Sequence, residues 1–382
     1  MSKQLLAGGL LLCTTAFAQA QGSITVYGIV DTGVEYVSNI ATTTGSASAW
    51  RMPTTTATLP SRIGFRGVED LGDGLAAIFT LENGFGPDSG GLNQGGRLFG
   101  RQAFVGLSDK SWGSLTFGRQ YSMTFWGTID SDILGPNVFG SGSLDAYLPN
   151  AREDNSIAYR GSFGGVTVGA TYSFGRDNTS AAVATPAGTN CAGESASDAM
   201  QCRAMSLMLK YDAPSWGVSA TYDRQNGGNT GSSGVAATYG GLTASGLHDT
   251  RSTINGYARL GDVKLGGGVI LRKNDGAKAA TPNTPTPRSN LYYLGASWVL
   301  TPTIVLDGEL YRLDYKNSGN DSNLIALRAT YQWSKRTATY VTAGRITNGG
   351  SATTSVDGGQ SGANTTAGGS QVGMMVGVRH TF

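Results

Sequence analysis

Side chains able to do covalent chemistry are scarce in this chain of 382 residues. It has two histidines, His248 in a polar stretch and His380 near the C-terminus. Neither has a Ser or Asp partner at a spacing that would make it a general base, and neither H-E-x-x-H nor G-x-S-x-G occurs. Asp130-Ser-Asp132 begins like a calcium loop but lacks the other ligands of the twelve-residue pattern. Gly266-Gly-Gly268 lies in a strand-like run with no helix behind it, so it is no phosphate turn. These residues predict no enzyme, no metal site and no cofactor.

The cysteines predict a compartment instead. Cys13 belongs to a leader with Lys3 in front, the apolar run Leu5 to Leu12, and the small-x-small pattern Ala18-Gln19-Ala20. That reads as a secretory signal over residues 1–20, with 21–382 forming one domain. Leu12 is too bulky for lipoprotein processing at Cys13, which disfavours that rival. Cys191 and Cys202 remain in an exported, oxidising setting, where one short-loop disulfide is expected.

The other chemically suggestive residues are arginines, and their meaning depends on what carries them. Charged residues make up 14% of the chain, against about 25% in soluble globular proteins. The formal net charge is +2 with no basic block, which excludes a nucleic-acid surface. No apolar run reaches about 18 residues beyond the leader, so helical membrane spans are not expected.

From Ser23 onward apolar and polar residues alternate. Ile24, Val26, Val30, Val34 and Tyr36 share one parity; Thr25, Tyr27, Asp31 and Glu35 share the other. The pattern recurs in Ser61–Glu69, Gly74–Gly84, Phe99–Leu107, Gly113–Arg119, Asn155–Arg160, Val166–Phe174 and Arg203–Asp212. It continues through Gly217–Asp223, Ser252–Leu260, Val263–Arg272, Asn290–Leu300, Thr303–Tyr311, Asn323–Trp333, Thr337–Thr347 and Gln371–Phe382. That makes about sixteen strands of roughly ten residues, the length of a tilted membrane-crossing strand. Their connections alternate between short turns such as Gly261-Asp262 and long Gly/Ser/Thr/Asn-rich loops such as 38–60, 85–98, 120–154 and 348–370. This predicts an all-β, sixteen-stranded antiparallel transmembrane barrel with short periplasmic turns and long external loops. Trp112, Trp216, Trp298 and Trp333 gather near the short turns, as interfacial aromatics do; Trp50 and Trp126 fall in long loops and break the pattern. The chain closes on Phe382, a terminal aromatic of the kind that outer-membrane barrels present to their assembly machinery.

Parity assigns faces to the charges. Ile63 and Phe65 face out, so Arg62 and Arg66 face in; Ile157 and Tyr159 face out, so Arg160 faces in. Arg101 shares parity with Val105 and Leu107, which leaves its direction open. Arg259, Lys264, Arg272, Arg328 and Arg379 fall on the polar parity, with Glu82, Asp307 and Glu309. The interior is mixed in sign with a basic lean.

Several segments together resemble the general trimeric porins of Gram-negative bacteria. They read Ser61-Arg-Ile-Gly-Phe-Arg-Gly-Val-Glu-Asp-Leu-Gly, Gly96-Arg-Leu-Phe-Gly-Arg-Gln-Ala-Phe-Val-Gly-Leu and Trp112-Gly-Ser-Leu-Thr-Phe-Gly-Arg-Gln, followed by Asn155-Ser-Ile-Ala-Tyr-Arg and Val376-Gly-Val-Arg-His-Thr-Phe. The resemblance implies a third long loop, about Tyr121 to Asn150, folded into the barrel. Its tip Pro136-Asn-Val-Phe-Gly140 carries Asn137 where the family has Glu, with Val138 as an extra residue. It also implies a constriction between a basic wall (Arg62, Arg66, Arg101, Arg160) and loop residues Asp130, Asp132 and Asn137, with Glu82, Arg259, Arg328 and Arg379 along the lumen.

A passive outer-membrane channel for small hydrophilic solutes and ions, with weak anion preference, is the function expected from this resemblance. The alternatives are a channel tuned to one class such as organic anions and, further off, a barrel adhesin or enzyme. The resemblance further implies a homotrimer held by the first and last strands, with loop Phe85–Leu98 reaching a neighbour. Outer-membrane lipid, the barrel assembly machinery at Phe382 and small solutes complete the expected partners.

Overall fold

The computed structural model describes residues 22–176, 191–228, 242–276, 288–316 and 318–382. The expected signal segment 1–20 lies outside the described residues, as do parts of four long loops.

Seventeen strands join one antiparallel sheet. They are β1 (Ser23–Thr42), β2 (Gly45–Arg51), β3 (Arg62–Gly72), β4 (Leu75–Gly84), β5 (Gln102–Asp109), β6 (Gly113–Tyr121), β7 (Arg152–Phe163), β8 (Val166–Ser173) and β9 (Ala204–Asp212). The second half comprises β10 (Trp216–Asn226), β11 (His248–Leu260), β12 (Val263–Asn274), β13 (Arg288–Thr301), β14 (Ile304–Tyr315), β15 (Ser322–Gln332), β16 (Thr337–Asn348) and β17 (Ser370–Thr381). The sheet closes because β1 pairs with β3 over Ser23–Ile29 and with β17 over Ile29–Val37. Closure leaves no unpaired edge for lipid, where an unmet backbone donor or acceptor is costly. Gly28 exchanges backbone hydrogen bonds of 3.1 Å with Phe382, so the last residue seals the seam.

Sixteen of these strands form the closed wall. β2 is an addition: the stretch 38–60 reads as loop in the sequence, yet β1 continues to Thr42 and folds back on β2. Tyr36 and Trp50 pack across this hairpin with ring centroids 5.1 Å apart, which gives the rim an aromatic staple and accounts for Trp50 in a long loop.

Alternation translates directly into faces. Ile24, Val26, Val30, Val34, Leu209, Val218, Ile254 and Leu327 point outward and are exposed, while Asp31, Glu35, Ser206, Thr221, Asn255 and Thr342 point inward and are buried. Burial of inward residues is densest where the chain between β6 and β7 fills the lumen. That segment carries α1 (Met123–Thr128), α2 (Ser141–Leu144) and a single 3-10 turn, Leu148–Asn150.

Inside the barrel, part of the wall of β12–β17 is apolar. Ile270, Leu291, Tyr293, Leu313, Leu324 and Ile346 face inward and form a core with Leu134, Phe139, Leu144 and Leu148 of the inserted segment and Val356 of the last long loop. An apolar lumen face is tolerated because another piece of protein covers it.

Candidate functional site

The inserted segment, the third long loop, lies against β9–β16. The α1 end is held by Ser206 Oγ, which accepts the Thr124 N–H at 3.2 Å, and by Ser219 Oγ, which donates to the Gly127 carbonyl at 2.5 Å. Farther on, Tyr311 O–H donates to Asp132 at 3.0 Å and to Glu309 at 2.7 Å, and Glu309 accepts the Leu134 N–H at 2.7 Å. The tip is wedged by Phe139, whose N–H donates to the Val356 carbonyl at 3.0 Å. Gly344 and Gly373 pair across β16 and β17 beneath that ring. A Cβ on either would stand 3.0 or 2.9 Å from Phe139, so their hydrogens make the seat. The return leg is clamped by Arg251, which donates to both Asp145 oxygens at 2.8 and 3.1 Å, and by Tyr147 O–H, which donates to Asp223 at 2.9 Å.

This anchoring consumes the loop's acids. Lys210 holds Asp130 at 2.6 Å. Asp132 is buried on the wall side, where burial pushes its carboxyl above the ordinary value against hydrogen bonds from Ser141 and Tyr311. Burial also opposes ionisation of Asp145, but the Arg251 and Arg272 guanidiniums overcome it and hold that carboxyl at about 2. Asn137 is buried too, with its amide donating to the Thr58 carbonyl.

The facing wall is built from β1 and β3–β7. Arg101 is buried and donates to Glu82 at 2.7 Å and to the Tyr121 hydroxyl at 2.6 Å; Tyr27 O–H donates to the other Glu82 oxygen at 2.8 Å. Arg101 precedes β5, its backbone N–H donating to the Glu82 carbonyl, so the outward parity of Val105 does not apply to it. Arg152 lies 4.6 Å over the Tyr121 ring and donates to its hydroxyl at 3.0 Å. Among the described residues, Arg62 donates to the Pro60 carbonyl alone, at 3.0 Å. Arg101 and Arg152 thus share the Tyr121 hydroxyl, Arg62 adds its charge to the same site, and Glu82 is the one carboxylate found beside them among the described residues. A cavity of about 270 Å³ at the mouth is lined by both Arg101 and Asn137, so wall and loop tip face one another across it.

Other residues read from the sequence stand elsewhere in the lumen. Arg66 packs over Tyr27 at 5.1 Å, two pleat periods along β3 from Arg62. Arg160 does not join the cluster. The ladder runs from Arg66 through Thr80, Phe104 and Gly118 to Ser156, and Arg160 lies four residues beyond, toward the short turns. There it covers Trp126 of α1 at 4.0 Å, which explains a tryptophan in this loop. Arg259 packs on Tyr257 near the short-turn end, Arg328 pairs with Asp307 at 2.9 Å, and Arg379 is the ladder partner of Asp31. Cys191 and Cys202 are joined by a disulfide in the fourth long loop.

Arg152 and Arg251 escaped the sequence reading. Alternation stops at Asn155, where φ of 48° makes a bulge and the register shifts between Gly118 and Gln120. β7 nevertheless runs back to Arg152. A charged run, Arg152-Glu-Asp154, abutting a strand with an Asn at the break is the signal that would have located it.

A family model described as Gram-negative porin matches residues 7–351. An outer membrane porin protein of Bordetella pertussis is 33% identical over 364 residues, covering 89% of this chain and 93% of the relative. The chain is a Gram-negative porin. Outer membrane porin protein 32 of Delftia acidovorans is 29% identical over the whole of both chains. Among solved structures, the anion-selective porin from Comamonas acidovorans superposes with a TM-score of 0.72 at 26% identity, covering 95% of this chain and all of that one. Family and fold place the porin in the outer membrane and are those of a channel.

Proposed function

We propose that this porin is a passive diffusion channel with a weak preference for small anions. The observation carrying this reading is the uncompensated charge at the constriction. Arg101 and Arg152 bond Tyr121 and Arg62 adds its charge there, with Glu82 the one carboxylate beside them among the described residues, while the loop opposite presents Asn137 and has its acids tied down at Asp130, Asp132 and Asp145. A fixed positive field in a narrow passage enriches anions and orients polar solutes. The similar Comamonas acidovorans porin, described as anion-selective, supports the same sign.

A channel of this kind acts by admission, passing solutes down their gradients. Export by cleavage after residue 20, barrel assembly signalled by Phe382, and a homotrimer in which exposed Leu92 and Leu98 of the second long loop reach a neighbour belong to the same reading. The test is the reversal potential of the purified porin in a planar bilayer under a salt gradient. An anion-side potential with current steps in threes is expected; a clear cation-side potential refutes the selectivity.

A further inference from the structure

Arg160 is a lumen charge that the constriction does not use. It stands half-buried on β7 toward the short turns, opposite Ser114 of β6. Neither its guanidinium nor the Gln102 amide has a hydrogen-bond or ion-pair partner among the described residues. The Trp126 ring, 4.0 Å away, covers one face of the guanidinium and leaves its in-plane N–H groups uncommitted.

Arg160 and Gln102 both line a hollow of about 90 Å³ between α1 and the wall of β4–β7. One ladder row, Ile78, Gly106, Thr116 and Ala158, makes its floor. Gly106 has no side chain and Ala158 only a methyl, so the row is recessed. Met123 and Trp126 of α1 close it from the lumen side, with Phe104 at the flank. The Thr116 hydroxyl donates to Gln120 at 2.5 Å and the Ser114 hydroxyl to the Arg160 carbonyl at 3.3 Å, so both are spent within the protein. A guest therefore meets an apolar middle with Arg160 at the short-turn end. Gln102, the ladder partner of Glu82, marks the end toward the constriction.

We infer that this hollow is a second solute site, behind the third loop, for a short-chain monocarboxylate such as propionate. The carboxylate takes the guanidinium fork of Arg160, and the alkyl chain lies against Ile78, Phe104 and Met123. Volume sets the chain length: the hollow holds about three waters at about 30 Å³ each. An inorganic anion would satisfy Arg160 but leave the apolar middle wet, and an aromatic or long-chain acid would not be enclosed. The inference rests on the anion-channel reading and adds to it a solute class and a place where that solute pauses.

The test uses the full mature porin in a planar bilayer with chloride carrying the current, and sodium propionate or sodium sulfate added on the short-turn side. Propionate should lower the chloride current along a saturating curve. Arg160→Gln should raise its half-saturating concentration about tenfold, which corresponds to about 1.4 kcal/mol. Ile78→Asn should weaken propionate and leave sulfate where it was, since sulfate has no alkyl chain to place. Arg259→Gln, which removes a lumen charge away from the hollow, should leave the propionate curve unchanged. Arg160→Lys, which keeps charge without the fork, should fall between and serves if Arg160→Gln does not fold. A propionate response that never saturates, or the same half-saturation in wild type and Arg160→Gln, overturns the site. The chloride reversal potential separates the two readings. An anion-side potential with either of those results rejects the site alone, and a cation-side potential rejects the anion channel and the site with it.

Discussion

Arg101 and Arg62 show how little a count of arginines says about a pore. Arg101 shares its charge with Glu82 at 2.7 Å, whereas Arg62 spends one hydrogen bond on a neutral carbonyl. Charge-removing substitutions should therefore act with opposite signs. An ion passing about 4 Å from a unit charge feels on the order of 1 kcal/mol even in bulk water, before salt screening. Arg62→Ala should lower the anion-to-cation permeability ratio severalfold, and Glu82→Gln, which leaves Arg101 unmatched, should raise it. Bilayer reversal potentials measure both, and a shift of the same sign in the two variants would contradict the assignment. Sequence parity gave Arg62, Arg66 and Arg160 their inward direction. It did not separate a free charge from a paired one, because Glu82, Arg101 and Tyr121 meet only through the register of β4, β5 and β6.

At the scale of elements, the third loop is fastened by two devices with different sensitivities. Its tip depends on shape: Phe139 over the facing glycines of β16 and β17. Truncating a buried phenylalanine costs about 3–5 kcal/mol, so Phe139→Ala should release the tip, as should Gly344→Val, which fills the seat from below. Single-channel records should show larger, noisier openings; unchanged current in both variants would mean the tip is held by other contacts. The return leg depends on charge. Asp145 is held at about 2 against an ordinary 3.8. A depressed carboxyl contributes stability that is complete above its unfolded value and disappears as pH falls through about 2. A difference of this size corresponds to about 2 kcal/mol. Asp145→Asn should thus lower the melting temperature at pH 7, with the gap closing between about pH 4 and pH 2. Asp132, raised by burial, runs the other way: Asp132→Asn should be tolerated at pH 7, a contrast that one thermal series would measure. The sixteen wall strands were legible because one lipid face and one wet face force a period of two. The loop's docking was not. Leu291, Tyr293 and Leu324 put apolar groups on the lumen parity, and only a covering segment distant in sequence gives them a reason. The β1–β2 hairpin was hidden likewise, since Gly45–Arg51 is short, exposed on both faces and made mostly of small residues, which leaves no marked apolar side to read.

For the whole molecule, closure is the step on which every other contact depends. β1 meets β3 with its first half and β17 with its second, so the seam between the first and last strands decides whether there is a barrel. Gly28 lies under the Phe382 ring, where a Cβ would stand 2.4 Å from the ring edge. Gly28→Val should displace Phe382 and weaken the seam, seen as loss of the compact, fast-migrating species on unheated gels. Normal heat-modifiable mobility would show that the remaining pairs suffice. The same dependence orders events in time. The core that receives the third loop has walls from β12–β17 and a floor from Val37 and Met375 of the closing strands. It is complete only once the last hairpin has joined the first strand. A closed barrel whose third loop had not yet docked would be wider than the mature pore and would keep only its wall charges as a filter. During refolding into vesicles, a large trapped dye should escape in a brief burst before leakage narrows to small ions. A membrane that inserts many copies at once must withstand that momentary leak.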